Sequence, residues 1–217
     1  MKKLEAAVLF GFAVAVIFCL TGFISFEEKC DGIRGKVFRL HVLANSDSEE
    51  DQELKLKVRD RLLEEGGEIL SGAENESEAA EKARESIGTL TRIARDEVQR
   101  QGYDYPVTVK VERTYFSTRV YDNVTLPAGE YEALQVLIGN AEGQNWWCVM
   151  FPPMCLPAAE GGESLQQENE KLENVLNPQE MDIVTSPEKY ELRFKTVEWF
   201  EEAGNFLKAL FGRSANS

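Results

Sequence analysis

The spacing of apolar and polar positions divides the chain into segments of different period. In "VFRLHVLA", Phe38, Leu40, Val42 and Ala44 fall on one side of an extended chain, and Arg39 and His41 on the other, the pattern of a half-buried strand. Asn45, Ser46, Asp47 and Ser48 follow, all of them able to cap a helix, with acidic residues in the first turn where the helix dipole favours them. Leu54, Val58 and Leu62 recur at helical spacing, and Gly66-Gly67 predicts the end of that helix. A second helix is predicted from Ser77, with Ala80, Ala83, Ile87, Leu90, Ala94 and Val98 as its apolar stripe and Gly102 as its stop.

From Tyr105 the period changes to two. Val107, Val109 and Val111 predict a second strand with Pro106 at its edge, and "LPAGEY" from Leu126 predicts a turn. Leu134, Val136 and Ile138 give a third strand, and "NAEGQ" turns the chain back into Trp146 to Phe151, which is apolar on both faces. The adjacent Trp146 and Trp147 must point to opposite faces of that strand. One is expected in the core, and the other needs a cover from this chain or from a partner, tryptophan being a common interface anchor. The elements predict an α+β domain: a small, mostly antiparallel sheet with two helices inserted after the first strand.

The two ends differ from this middle. Ala6 to Phe26 is an uncharged run long enough to cross a bilayer, and Lys2 and Lys3 before it keep the N-terminus on the cytoplasmic side. Residues 1–29 are therefore expected to be a signal or membrane anchor, and 30–157 an exported domain. Residues 158–187 are polar and acidic and read as a linker. Residues 188–217 read as an amphipathic helix and tail, with Tyr190, Phe194, Val197, Phe200, Leu207 and Phe211 on its apolar side. Export makes disulfides permissible. Cys148 and Cys155 flank the Pro152-Pro153 turn and are expected to bridge, which leaves Cys30 unpaired outside the apolar run.

Charge and chemistry narrow the function. A net charge of -14 over 217 residues repels phosphate backbones and argues against nucleic-acid binding. His41 is the only histidine, so any histidine-dependent catalysis must use it; no nucleophile elbow, HExxH or phosphate loop is present. Cys148 and Cys155 without a nearby histidine cannot fill a zinc site, and no metal, cofactor or small-molecule substrate is expected. The cluster of Asp47, Glu49, Glu50 and Asp51 offers one enzymatic alternative, paired carboxylates of a cell-wall hydrolase or wall-binding module. First-turn acids that only answer the helix dipole are the simpler account. A purely structural envelope protein is a third possibility.

Two blocks, "RLHVLANSDSEEDQELKLKVRD" and "NVTLPAGEYEALQVLIGNAEGQNWWCVMFPP", together with the exported topology, resemble the stage II sporulation protein R family of endospore-forming bacteria. The likeness runs from about Val37 to Pro157. It implies a protein exported from the forespore into the space between two membranes. There it would activate a membrane-embedded aspartic protease of the mother cell, which processes a sigma-factor precursor. On that view the contact surface is expected at His41, Asn45, Ser46 and Asp47, with Trp146 and Trp147 as further candidates.

Overall fold

Strands β1 (Phe38–Leu43), β2 (Val107–Phe116), β5 (Gly129–Ile138) and β6 (Asn145–Phe151) form one mixed sheet in the order β2-β5-β1-β6. The computed structural model describes residues 2–121, 124–154 and 170–212. β5 pairs antiparallel with β2 and parallel with β1, and β6 pairs antiparallel with β1. A parallel central pair needs a long crossover. The chain supplies it with three helices between β1 and β2: α2 (Glu49–Leu70), α3 (Glu76–Glu85) and α4 (Ile87–Arg100). A short hairpin, β3 (Arg119–Tyr121) with β4 (Val124–Leu126), precedes β5.

The crossover corrects two details of the sequence reading. α2 runs through Gly66 and Gly67 to Leu70. At Gly66 the missing side chain has a packing use, since a Cβ there would lie 3.3 Å from a Leu90 methyl of α4 and 3.6 Å from Met150 of β6. The predicted second helix is two, broken at Ser86, whose N–H bonds back to Lys82. The break lets α3 lie against β1, β2 and β5 while α4 lies along α2.

Both faces of the sheet are covered, so the alternation along β1 does not separate core from solvent. On one face Phe38, Leu40, Val42, Val109, Leu134 and Val136 pack beneath α2, α3 and α4. The opposite face carries a second core that includes Phe116, Tyr131, Ala133 and Val149. Its cover comes from the chain ends: α1 (Lys2–Arg34), the segment holding Leu172 and Leu176, α5 (Pro178–Thr185) and α6 (Pro187–Gly212).

α1 runs without interruption past residue 29, and Phe26, Cys30 and Ile33 are fully buried in this second core. Phe26 stacks on Tyr190 at 5.5 Å and meets Phe194 edge-on at 5.6 Å. Leu172, Leu176, Ile183 and Val184, within the stretch expected as a linker, are buried there too, and Lys36 bonds Glu180 of α5 at 2.6 Å. Among the described residues no helix is long and apolar enough to cross a membrane. Of the side chains described in α1, Phe10, Phe12, Val14, Ile17 and Ile24 are exposed.

Candidate functional site

Where β1 hands over to α2, the predicted polar cluster is spent on internal bonds. Ser48 is the N-cap, its hydroxyl accepting from the Asp51 amide at 3.2 Å. Ser46 Oγ and Asn45 Nδ2 both donate to Asp51 Oδ2, at 2.6 and 2.8 Å. Asn45 Oδ1 accepts from the Asn140 amide, and Asp47 Oδ1 from the Gln144 amide at 2.8 Å. The group thus staples the start of α2 to the turn between β5 and β6. Backbone approach there is so close that a Cβ at Gly139 would collide with Asn45, and one at Gly143 with Ser46. Burial alone would raise the Asp51 pKa, but the donors Ser46, Asn45 and Tyr105 outweigh it and hold the carboxylate below its ordinary range.

His41 is buried, not on a solvated face. Its Nε2 lies 2.8 Å from Asn145 Oδ1 and its Nδ1 3.2 Å from Gln135 Nε2. An amide oxygen needs a donor and an amide NH2 needs an acceptor, so both contacts are satisfied by the neutral imidazole protonated on Nε2. Burial, with the nearby Arg39 charge, lowers the His41 pKa, in keeping with that neutral form. Phe116 and Trp147 pack edge-on against the ring at 5.8 and 5.9 Å.

The two tryptophans leave β6 on opposite faces, as their adjacency requires, and each lies under an arginine. Arg59 of α2 sits 4.2 Å over the Trp146 ring, and Arg119 of β3 sits 3.6 Å over the Trp147 ring. Trp146 is partly exposed and Trp147 half-buried, so neither is simple core. Between the β3 to β4 hairpin and β6, which is an edge strand, lies a groove of about 320 Å³ lined by Arg119, Val120, Tyr121, Asn145, Trp146 and Trp147. Beneath it is Arg39, fully buried, its guanidinium carbon 3.9 Å from the Phe116 ring centre and 4.7 Å from that of Tyr131. Arg39 Nη2 donates to the Tyr121 hydroxyl.

The expected site residues therefore separate into three groups. His41 and Trp147 come together beside the groove, Asn45, Ser46 and Asp47 form the staple, and Trp146 faces α2. Arg39, Phe116, Arg119 and Tyr121 were missed by the sequence reading. The usable signal was Arg39 itself, an arginine in mid-strand on the same side as His41. Cys148 is buried on β6, while Cys155, its expected partner, lies outside the described residues. The free Cys30 thiol is pushed up to about 12 by burial, so it is a packing residue and not a reactive one. Among the described residues no three His, Cys, Asp or Glu side chains group to hold a metal ion.

Residues 34–160, which hold the whole four-stranded sheet and the groove, match the family model described as Stage II sporulation protein R. This chain belongs to the stage II sporulation protein R family. A curated relative, Stage II sporulation protein R of Bacillus subtilis (strain 168), is 31% identical over 184 residues, covering 78% of this chain and 82% of that protein. No solved structure matches the chain. Membership of the stage II sporulation protein R family makes this a sporulation signalling protein, and the groove and staple are features of its family-matched segment.

Proposed function

We propose that the chain is exported from the forespore, held at the membrane by its N-terminal segment, and activates a membrane-embedded aspartic protease of the mother cell. That protease then processes a sigma-factor precursor. The observation that supports this reading best is the family match over the whole sheet domain. The exposed Phe10, Phe12, Ile17 and Ile24 of α1 agree with it, since a bilayer would cover them. Activation is a population shift: the signal must bind the active form of the protease more tightly than the resting form. A tenfold effect needs about 1.4 kcal/mol of differential binding.

The wall-hydrolase alternative gains nothing from the acidic cluster. Asp51 is buried and fully engaged, Asp47 bonds the Gln144 amide, and Glu49 and Glu50 lie in the first turn of α2. Their positions answer to the helix start. The decisive measurement is co-expression of the full chain with the protease and its sigma-factor precursor in cells that make no other sporulation protein. Processed factor should accumulate only when all three are present. Processing without this chain, or none with it correctly exported, would discard the proposal.

A further inference from the structure

We propose that the groove between the β3 to β4 hairpin and β6 is a receptor for a carboxylate: an aspartate or glutamate side chain on the partner protein seats against Arg119, Tyr121 and Trp147. The proposal rests on the reading of this chain as a signal to a protein partner, and it names the chemistry of that contact.

Three observations carry it. Arg39, wholly buried under the groove, has two guanidinium nitrogens, Nε and Nη1, with no hydrogen-bond partner. Its surroundings are aromatic rings and the Tyr121 hydroxyl, and among the described residues no acid is paired to it. A guanidinium is always charged, and a buried charge without a counterion is costly, so aromatic faces alone compensate it in part. Next, Arg119 forms no ion pair or hydrogen bond among the described residues; its guanidinium sits over the Trp147 ring, and Glu198, which accepts from the Thr118 amide, acts on it only from a distance. Finally, the indole Nε1 of Trp147 is buried without a partner, and so is the hydroxyl of Thr118, next to Arg119. Indole N–H and guanidinium groups can only donate. A site built of unused donors calls for an acceptor, and two guanidinium groups call for an anionic one.

The contrast with the rest of the surface sharpens this. A larger depression between α2 and α4, about 440 Å³, is also rich in charge, but its arginines are answered from within: Arg61 pairs with Glu65 at 2.6 Å and Glu97 at 3.5 Å. In a chain of net charge -14, cations that stay unpaired beside an edge strand are the exception. Burial and the neighbouring Arg39 charge also disfavour the protonated Arg119, with Tyr121 and Glu198 acting in the other direction, and an incoming carboxylate would offset the remaining penalty. An aromatic-walled groove on a strand edge, whose charged groups are all guanidinium, fits one acidic side chain flanked by apolar residues on an extended segment of the partner.

The test uses the full chain in detergent micelles and two probes, acetyl-Phe-Glu-Phe amide and its glutamine counterpart, followed by tryptophan fluorescence. The glutamate peptide should bind at least about tenfold more tightly at low salt, a difference of about 1.4 kcal/mol. Arg119→Gln should abolish that preference and Arg119→Lys retain part of it, with melting temperatures unchanged because Arg119 is exposed. Equal binding of the two peptides, binding of neither, or an undiminished preference in Arg119→Gln overturns the proposal. In the co-expression strain, Arg119→Gln should cut processing about tenfold. If wild type and Arg119→Gln process equally, the carboxylate site is refuted while the signalling reading stands. If the peptide preference is present but wild type gives no processing, the signalling reading fails and the carboxylate site survives.

Discussion

His41 is the residue whose environment most changes what its type would suggest. The unfolded chain binds a proton at its ordinary pKa of 6.5, whereas the folded imidazole, lowered by burial and by Arg39, takes one only at a lower pH. The hydrogen bond to Asn145 and the Glu112 charge oppose this only in part. Between those two values the unfolded state holds more protons, so stability falls as pH drops below about 6.5 and the loss ends below the folded pKa. One proton bounds the slope at about 1.4 kcal/mol per pH unit. Asp51, lowered from 3.8, loses its contribution only at more acid pH, and the raised Glu76 acts in the opposite sense from 4.5 upward. Denaturant melts of wild type and His41→Gln between about pH 7 and pH 5 isolate the effect, since the substitution removes one titrating group and leaves the others. The wild type should lose more stability than the variant across that range; parallel curves would mean that His41 protonates without cost.

At the level of elements, local periodicity reported faithfully wherever neighbours along the chain decide the structure. The strands at Phe38, Val107, Leu134 and Trp146 and the capped start of α2 were all legible in residue spacing. What spacing could not supply was the second cover of the sheet. The polar side of β1 is buried because distant segments, α1 before it and α5 and α6 far after it, happen to fold over it. That fact has no local signature, and it is why Arg39 and His41 read as solvated and why the groove went unseen. The Gly66-Gly67 pair misled for a related reason: a glycine that ends a helix and one that admits a neighbouring helix look alike in sequence. At the far end of β6 the local argument remains testable. A bridge between Cys148 and Cys155, expected from the Pro152-Pro153 turn, closes a short loop worth roughly 2 kcal/mol. Thiol labelling of the unreduced, unfolded chain should then modify neither cysteine, and reduction should expose both; free labelling of the pair without reductant would leave the prolines alone to turn the chain.

Across the whole molecule, the sheet domain and the chain ends share one buried core, which bears on where a functional fragment can be cut. Removing residues 158–217 would uncover the second core by taking away Leu172, Leu176, Ile183, Val184, Phe194 and Val197. Each buried aliphatic or aromatic side chain is worth about 1.5 to 3 kcal/mol, so their loss together is comparable with the roughly 5 to 15 kcal/mol that stabilises an ordinary domain. The N-terminal side can be probed more gently. Phe26→Ala empties a site enclosed by Tyr190 and Phe194 and should cost about 3 to 5 kcal/mol, although the residue belongs to the same helix as the apolar run. Urea melts followed by circular dichroism, with every protein in the same detergent, give the comparison. The chain ending at Pro157 should be unfolded or aggregated without denaturant, and Phe26→Ala should melt cooperatively at a lower urea midpoint. A truncated chain with the wild-type midpoint would show that α1 to β6 fold without the segment after Pro157. In that case α5 and α6 would be a removable cover on the face that holds Arg39 and His41, and the buried arginine beneath the groove would be open to a partner by displacement of this cover.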